Sequence, residues 1–366
     1  MKRAATVILL LSCFVYSSAF AADSLAYYIQ HNDWLKSKTA SDKQVIKNRI
    51  SHFGWFQRGE VYYAISKDNK GEKYFITPVQ ALNEATTSYL KAVALTQKTG
   101  KVNTTYISRL ERCHNDFLNL GSKSYLNQDY EAANRQYENA IDITEAIGRA
   151  HKKIMFDTVS IFYQALALEK TGNTVGARKN YLKLISMKYA NPDLYSNLAY
   201  LYKLNSEYAN AIKTIETGLK YFPDNKSLLV DWVNISIIAG KQHEIAEPLK
   251  AKALKNETNA HISFLLASLY DNMNMHSEAE LFYKKTIERD SAFTEAKYNL
   301  AVMYYNRAMD INKQLNNIDR NSQLFKNTLA DRNILLKKAE QYFKKAFSIN
   351  PKEIEKILKQ ISKSLT

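Results

Sequence analysis

Glycine and proline are scarce, ten and five in 366 residues, where average usage of the two together runs at roughly 12 %. A fold threaded by many tight turns, α/β or all-β, would use far more of both. Cysteine is scarcer still: Cys13 and Cys113 are the only two. No stretch beyond residue 20 approaches the 18 uninterrupted apolar residues of a membrane-spanning helix, so no transmembrane segment is expected in the mature chain. What is abundant is apolar surface, 46 % of residues with 12 % aromatic, which excludes intrinsic disorder. This composition points to a long, mostly helical chain held together by packing alone.

The N-terminus reads as an address. Lys2 and Arg3 precede a largely uncharged run over 4–20, and Ala19-Phe20-Ala21 places small residues where a signal peptidase cuts. Residues 1–21 are therefore expected to be a signal peptide that exports the chain to the periplasm or cell envelope. Ser12, Ser17 and Ser18 weaken the rival reading as a membrane anchor. Lipid attachment at Cys13 is disfavoured by Leu11 and by the apolar Phe14-Val15-Tyr16 that follows. Cleavage would leave Cys113 alone, with no disulfide and no CxxC metal or redox site.

The chain repeats with a period of 34 residues. From starts at Pro192, Lys226, Ala260 and Thr294, position 7 reads Leu198, Trp232, Leu266, Leu300, and position 8 reads Ala199, Val233, Ala267, Ala301. Position 20 reads Ala211, Ile245, Ala279, and position 24 reads Ile215, Leu249, Tyr283. Leu120-Gly121 with Ala133 and Tyr137, and Ala165 with Ala177 and Tyr181, fit the same template. Small residues at positions 8 and 20 let two antiparallel helices approach, and large ones at 7 and 24 fill the seam. On these residues the chain resembles the tetratricopeptide repeat (TPR) family over about 114–350. The resemblance implies an all-α fold, a right-handed TPR superhelix (α-solenoid) of about six helix-turn-helix repeats, with residues 22–113 as a degenerate helical region before it. Repeat 226–259 departs from the pattern, because Ile245 replaces the small residue and Pro248 falls inside the second helix. A kinked or shortened helix near Glu247 is expected there.

The ends depart too. After Leu300-Ala301 and Tyr304, the second half of the last repeat (Ala339, Phe343, Ala346) arrives 26 residues late. The spacing predicts an extended C-terminal hairpin, each arm lengthened by about 13 residues and projecting about 20 Å, with its tip at 316–322. Residues 351–366 read as an amphipathic capping helix. At the other end, 49–67 and 78–99 look like a worn repeat, in which Ala85, Tyr89 and Ala92 keep the expected spacing. This start and the long final hairpin together resemble secreted TPR proteins of Bacteroidota-type Gram-negative bacteria.

Residues 23–113 carry 14 Lys/Arg against 8 Asp/Glu, 294–366 carry 14 against 7, and the stretch between is balanced at 21 each. Lys337, Lys338, Lys344 and Lys345 with Lys352, Lys356, Lys359 and Lys363 form a candidate basic patch for an anionic envelope polymer or lipid; a solvated end face is the simpler explanation. Nucleic acid is not expected, since no recognised binding module is present.

Chemistry is hard to find. The seven histidines form no HExxH pair, and there is no P-loop, GxGxxG or GxSxG. Cys113-His114 is not a dyad, because adjacent helical residues point about 100° apart. No catalytic residue, metal or cofactor is assigned. In the TPR family, positions 2, 5, 9, 12 and 13 of the first helices face a concave groove. Carried onto this chain, the resemblance gives Ser196, Tyr200, Lys203, Val230, Asn234, Ile237, Phe264, Ser268, Asp271, Tyr298, Val302 and Tyr305 as candidate groove residues. The subfamily that clamps C-terminal carboxylates has lysine at position 5 and asparagine at position 9; Asn234 matches, but Ser196, Val230 and Tyr298 do not. The reading is a non-enzymatic protein–protein interaction scaffold of the cell envelope that binds a peptide or helix in the groove.

Overall fold

The computed structural model describes residues 25–68, 71–98, 101–256 and 258–365. Among them are seventeen α-helices, one short 3₁₀ turn and no strand, so the all-α repeat architecture expected from the period holds. The expected signal peptide and Cys13 lie outside the described residues. Two compact units are formed, one ending at Met187 and the other beginning at Lys188. The division falls inside the stretch that the sequence presents as a single array.

The first unit holds α1 (Leu25–Gln30), α2 (Trp34–Lys47), α3 (His52–Lys67), α4 (Pro78–Gln97), α5 (Thr104–Leu126), α6 (Tyr130–Ala150), α7 (Thr158–Lys170) and α8 (Thr174–Ser186). Caps set these boundaries. Thr77 and Gln80 form a capping box ahead of Pro78, and Asp33, Ser51, Asn103, Asp129, Asp157 and Asn173 each accept a first-turn N–H. The worn repeat is a real hairpin of α3 and α4, followed by α5–α6 and α7–α8. One core runs from Val61 to Ala150, so the N-terminal helices and the first repeat are packed as one body. Close approach follows the expected rule: a Cβ on Gly121 would sit 2.7 Å from the ring of Tyr137. The buried charge of this unit is paired. Arg58 donates to Asp42 at 2.8 Å, to Glu84 at 2.8 Å and to Ser88 at 2.6 Å, and it lies 4.3 Å over the Tyr62 ring.

The second unit holds α9 (Pro192–Leu204), α10 (Tyr208–Tyr221), α11 (Lys226–Ile238), α12 (Gln242–Lys255), α13 (Ala260–Asn272), α14 (His276–Arg289), α15 (Thr294–Leu315), α16 (Gln323–Lys345) and α17 (Pro351–Leu365). The four first helices open at the four phase points of the 34-residue period. The turns after α9, α11 and α13 share one backbone device that also appears in α7–α8. Gly172, Ser206, Gly240 and Asn274 all have positive φ, at 81°, 59°, 68° and 58°. The next N–H in each turn reaches back into the helix, as from Glu207 to the Tyr202 carbonyl at 2.9 Å and from Lys241 to the Ser236 carbonyl at 2.8 Å. Side chains with a Cβ resist this left-handed conformation by about 1 kcal/mol. Ser206→Gly should therefore raise the stability of the second unit by about that amount, and Gly240→Ser should lower it similarly. Urea midpoints of the two variants, read against unchanged slopes, check both signs.

Two details differ from expectation. Helix α12 is not shortened by Pro248; it runs 14 residues, as α10 and α14 do. Pro248 and Glu244 are both on the exposed side, so the carbonyl left without its donor is open to water, which limits the cost. The departure appears in packing instead. Helices α11 and α12 make far less close contact with each other than the paired helices of the flanking repeats. Ile245, 2 % exposed where its neighbours have alanine, fills the space that would let them close. The final hairpin is extended on both arms, with α15 at 22 and α16 at 23 residues against 13 in α13 and 14 in α14. Each arm gains about 14 Å rather than 20 Å. The remaining inserted residues go into the tip, 316–322, and α16 stops at Lys345, short of where its counterparts end. Helix α17 packs on α16 through the buried Ile354 and Ile361.

Candidate functional site

In the second unit the first helices α9, α11, α13 and α15 lie side by side, as a groove requires. The twelve candidate residues are not equivalent there. Tyr200 is 43 % exposed, with the Lys203 ammonium 5.0 Å over its ring. Ser196 is half-buried, and its hydroxyl has no hydrogen-bond partner among the described residues. Val230 and Ile237 are half-buried and Asn234 is exposed. Phe264 is drawn into the seam, against Phe293 at 4.9 Å and Tyr283 at 6.1 Å.

At the last repeat the groove is covered. Tyr298 and Tyr305 both meet Phe343 edge-on, at 5.9 and 6.4 Å, and the Tyr305 hydroxyl donates to Gln360 of α17 at 3.1 Å. Tyr305 therefore helps to seat the closing helix, and both tyrosines are half-buried.

Ser268, Asp271 and Val302 converge on a polar pocket of about 700 Å³ at the end of α13. Asn299, Asn306, Arg307, Tyr283 and His276 complete much of its wall. The sequence pattern missed these residues because the pocket depends on helix length. Helix α13 ends at Asn272, the counterpart of Asn306, and α15 continues nine residues further to Leu315. Arg307, Asp310 and Lys313 lie on that continuation and stand beside the α13–α14 turn. The late arrival of Ala339 was the available signal, though it fixes only that the arms are long.

The electrostatics of the pocket are mixed. Burial raises the Asp271 carboxyl above its ordinary range, against the opposing pull of His276, whose Nδ1 is 3.8 Å from Oδ1. Burial pushes the Tyr283 hydroxyl up to about 12, and it donates to Ser268 at 3.4 Å. Asp310 pairs with Lys313 at 2.8 Å, whereas Arg307 forms no ion pair among the described residues. The Ser268 hydroxyl and His276 are not hydrogen-bonded to each other, so no nucleophile–base pair is assembled. Among the described residues no group of three His, Cys, Asp or Glu side chains could hold a metal ion.

The basic residues differ in their surroundings. Lys338 lies 3.7 Å from Glu280 and 5.1 Å over the Tyr304 ring, Lys344 pairs with Glu340 at 2.6 Å, and Lys345 sits 5.2 Å over Tyr342. Lys337 is exposed. Lys352, Lys356, Lys359 and Lys363 form a row on α17 opposite Ile354 and Ile361, with Lys359 bound to Glu355 at 2.7 Å.

Cys113 and His114 do point apart. The thiol is fully buried and burial pushes it up to about 11. The His114 Nε2 reaches Asp157 at 2.6 Å. That hydrogen bond raises the His114 pKa, and Asp157 is lowered because the bonds from His114 and Ser160 outweigh burial. A raised histidine stabilises below its unfolded value near 6.5 and loses this as pH rises through the folded value; a lowered aspartate stabilises above its unfolded value near 3.8 and loses this as pH falls. The pair should therefore hold the start of α7 to α5 best between those values. Protection factors of the amides over 151–160, which remove the intrinsic rise of exchange with pH, should fall from pH 6 to pH 8 in the parent and stay flat across that range in Asp157→Asn.

Residues 192–225 and 260–293 match the family model described as tetratricopeptide repeat. The two segments are in phase, and the departing repeat 226–259 fills the interval between them. These segments are tetratricopeptide repeats. Among curated proteins, this chain is 27 % identical over 239 residues to the human protein O-mannosyl-transferase TMTC3; the match covers 62 % of this chain and 24 % of that protein, so it spans about a quarter of the relative's length. Among solved structures, a tetratricopeptide repeat protein from Parabacteroides merdae aligns at a TM-score of 0.42 with 18 % identity, over 68 % of this chain and 98 % of its own. YrrB, described as a TPR protein with an unusual peptide-binding site, aligns at a TM-score of 0.37 with 18 % identity, over 60 % of this chain and 97 % of its own.

Proposed function

We propose that this TPR protein is a non-enzymatic scaffold of the cell envelope that binds a peptide or helix of a partner protein along the first helices of its second unit. The supporting observation is the polar pocket between α13 and α15. Asn299 and Asn306 stand seven residues apart on one face of α15, and their side-chain amides both donate and accept. That suits a peptide backbone, which presents both kinds of group, with Val302 between them offering an apolar contact. The exposed Tyr200 and Asn234 extend the contact along α9 and α11.

A photo-crosslinking residue at Val302, compared with one at the exposed Ile334 on α16, tests this in intact cells. A distinct adduct from 302 is expected. Asn299→Ala with Asn306→Ala should weaken capture of that partner by about tenfold, on the order of one good hydrogen bond each. Identical adducts from both positions would place the binding surface elsewhere. Fractionation of the same cells reports whether the chain is exported.

A further inference from the structure

The corner between α2 and α3 displays apolar side chains that the first unit leaves in water. Ile50 is 81 % exposed, Ile46 67 % and Phe53 45 %. The corner is nonetheless fixed. The Trp55 indole donates to the Arg49 carbonyl at 3.0 Å, the Asn48 N–H to the Gln44 carbonyl at 2.9 Å, and the Gly54 N–H to the Ser51 hydroxyl at 3.0 Å. A braced backbone thus holds the isoleucines outward, although nothing in the packing of α2 and α3 uses them. Ser37, Ser41 and Val45 make the buried face of α2.

Cations are interleaved with these side chains. Lys43, Ile46 and Lys47 share the exposed face of the last turns of α2, and Arg49 and Ile50 follow in the corner just beyond its end. Lys43, Lys47 and Arg49 are exposed, and none forms an ion pair among the described residues. No aspartate or glutamate occurs from Lys43 through Gly59. A surface held only for solubility would mix both signs and avoid exposed isoleucine.

We propose that this corner is a contact site for an anionic lipid surface. Ile46, Ile50 and Phe53 enter the boundary between headgroups and acyl chains while Lys43, Lys47 and Arg49 meet the phosphates. A soluble polyanion would satisfy the three cations and leave the isoleucines hydrated. A projecting corner that offers apolar and cationic groups together matches a boundary with hydrocarbon and phosphate at neighbouring depths. This site is in the first unit and does not depend on the groove of the second.

Co-sedimentation of the full chain with vesicles of phosphatidylcholine and phosphatidylglycerol, against vesicles of phosphatidylcholine alone, tests the proposal. Binding should require phosphatidylglycerol and fall with salt. Lys43→Gln and Lys47→Gln should each weaken it about fivefold, and Ile46→Ser with Ile50→Ser about tenfold or more. Ile50→Ser alone lies outside any helix and keeps the test valid if the double variant loses helical signal. The proposal is overturned by absence of binding, by binding that ignores the isoleucine changes, or by loss on Lys352→Glu with Lys356→Glu while the corner variants bind normally. Capture of heparin in the same salt range, with no preference for vesicles, overturns it equally.

Discussion

Phe343→Ala should cost the second unit about 3–5 kcal/mol, the range for truncating a fully buried phenylalanine, and should release its last helix. Phe343 is 0 % exposed and occupies the seam position that Ile215, Leu249 and Tyr283 hold in earlier repeats. Here it has a second duty. Tyr298 and Tyr305 lean on its ring edge-on at 5.9 and 6.4 Å. Tyr305 in turn holds Gln360 on α17, and Tyr298 lies near enough to Glu353 for that carboxylate to help burial raise its hydroxyl pKa. Removing the ring takes the support from both tyrosines at once, so the loss is not confined to one cavity. Limited proteolysis should cut within 346–365 much faster in the variant, while the first unit keeps its own unfolding midpoint. A variant that lost this stability with the C-terminal helix still protected would show that α17 is seated by Ile354 and Ile361 alone.

Much of this fold was legible because the repeat writes the same contact many times. Leu198, Leu266 and Leu300 at one phase, and Ala211 with Ala279 at another, specify helix length, turn position and partner without reference to anything distant. The turns were encoded less openly. Gly172 and Gly240 announce a left-handed residue, but Ser206 and Asn274 take the same conformation in the same register, imposed by the helices on either side. Pro248 misleads for a related reason: propensity acts on a helix alone, whereas the cost here depends on which carbonyl is stranded and whether water reaches it. The pocket was the least legible feature. Ser268, Asp271 and Val302 could be placed on the right face from the period. Their convergence with Arg307 and His276 depends on how far α15 outruns α13, and the insertion length does not divide itself among two arms and a tip. Tyr298 and Tyr305 occupy groove positions by phase, yet the capping helix reaches this end of the groove, where Gln360 accepts from the Tyr305 hydroxyl.

Gly59→Ala should destabilise the first unit by about 2 kcal/mol, and by clearly more than Gly121→Ala, although both place a methyl against a tyrosine ring. A Cβ at position 59 would lie 2.4, 2.6 and 2.9 Å from three ring atoms of Tyr89; at position 121 the distances to Tyr137 are 2.7, 2.9 and 3.0 Å. Either clash must be relieved by moving the ring, and the two rings differ in freedom. Tyr89 is 0 % exposed, and its hydroxyl donates to Glu60 at 2.7 Å, a carboxylate that Arg109 holds at 2.6 Å. Burial keeps that hydroxyl protonated far into the alkaline range, so it stays a donor there. Tyr137 is as buried, at 1 % exposed, and stacks on Tyr163 at 5.8 Å, but among the described residues its hydroxyl is tied by no more than a 3.4 Å bond to Ser122, so its tip is held less firmly. Overpacking costs about 1–3 kcal/mol, with the upper end fitting a ring fixed at both face and tip. Alanine returns about 1 kcal/mol of helix propensity over glycine, which leaves a net loss near 2 at position 59 and near zero at 121. Tyr89→Leu in the Gly59→Ala background should recover part of the loss, since the shorter side chain carries no tether. Urea unfolding of the parent and the three variants, followed by near-ultraviolet circular dichroism of the tyrosines, separates the outcomes; equal losses at 59 and 121 would mean that the Glu60–Arg109 pair does not restrain Tyr89.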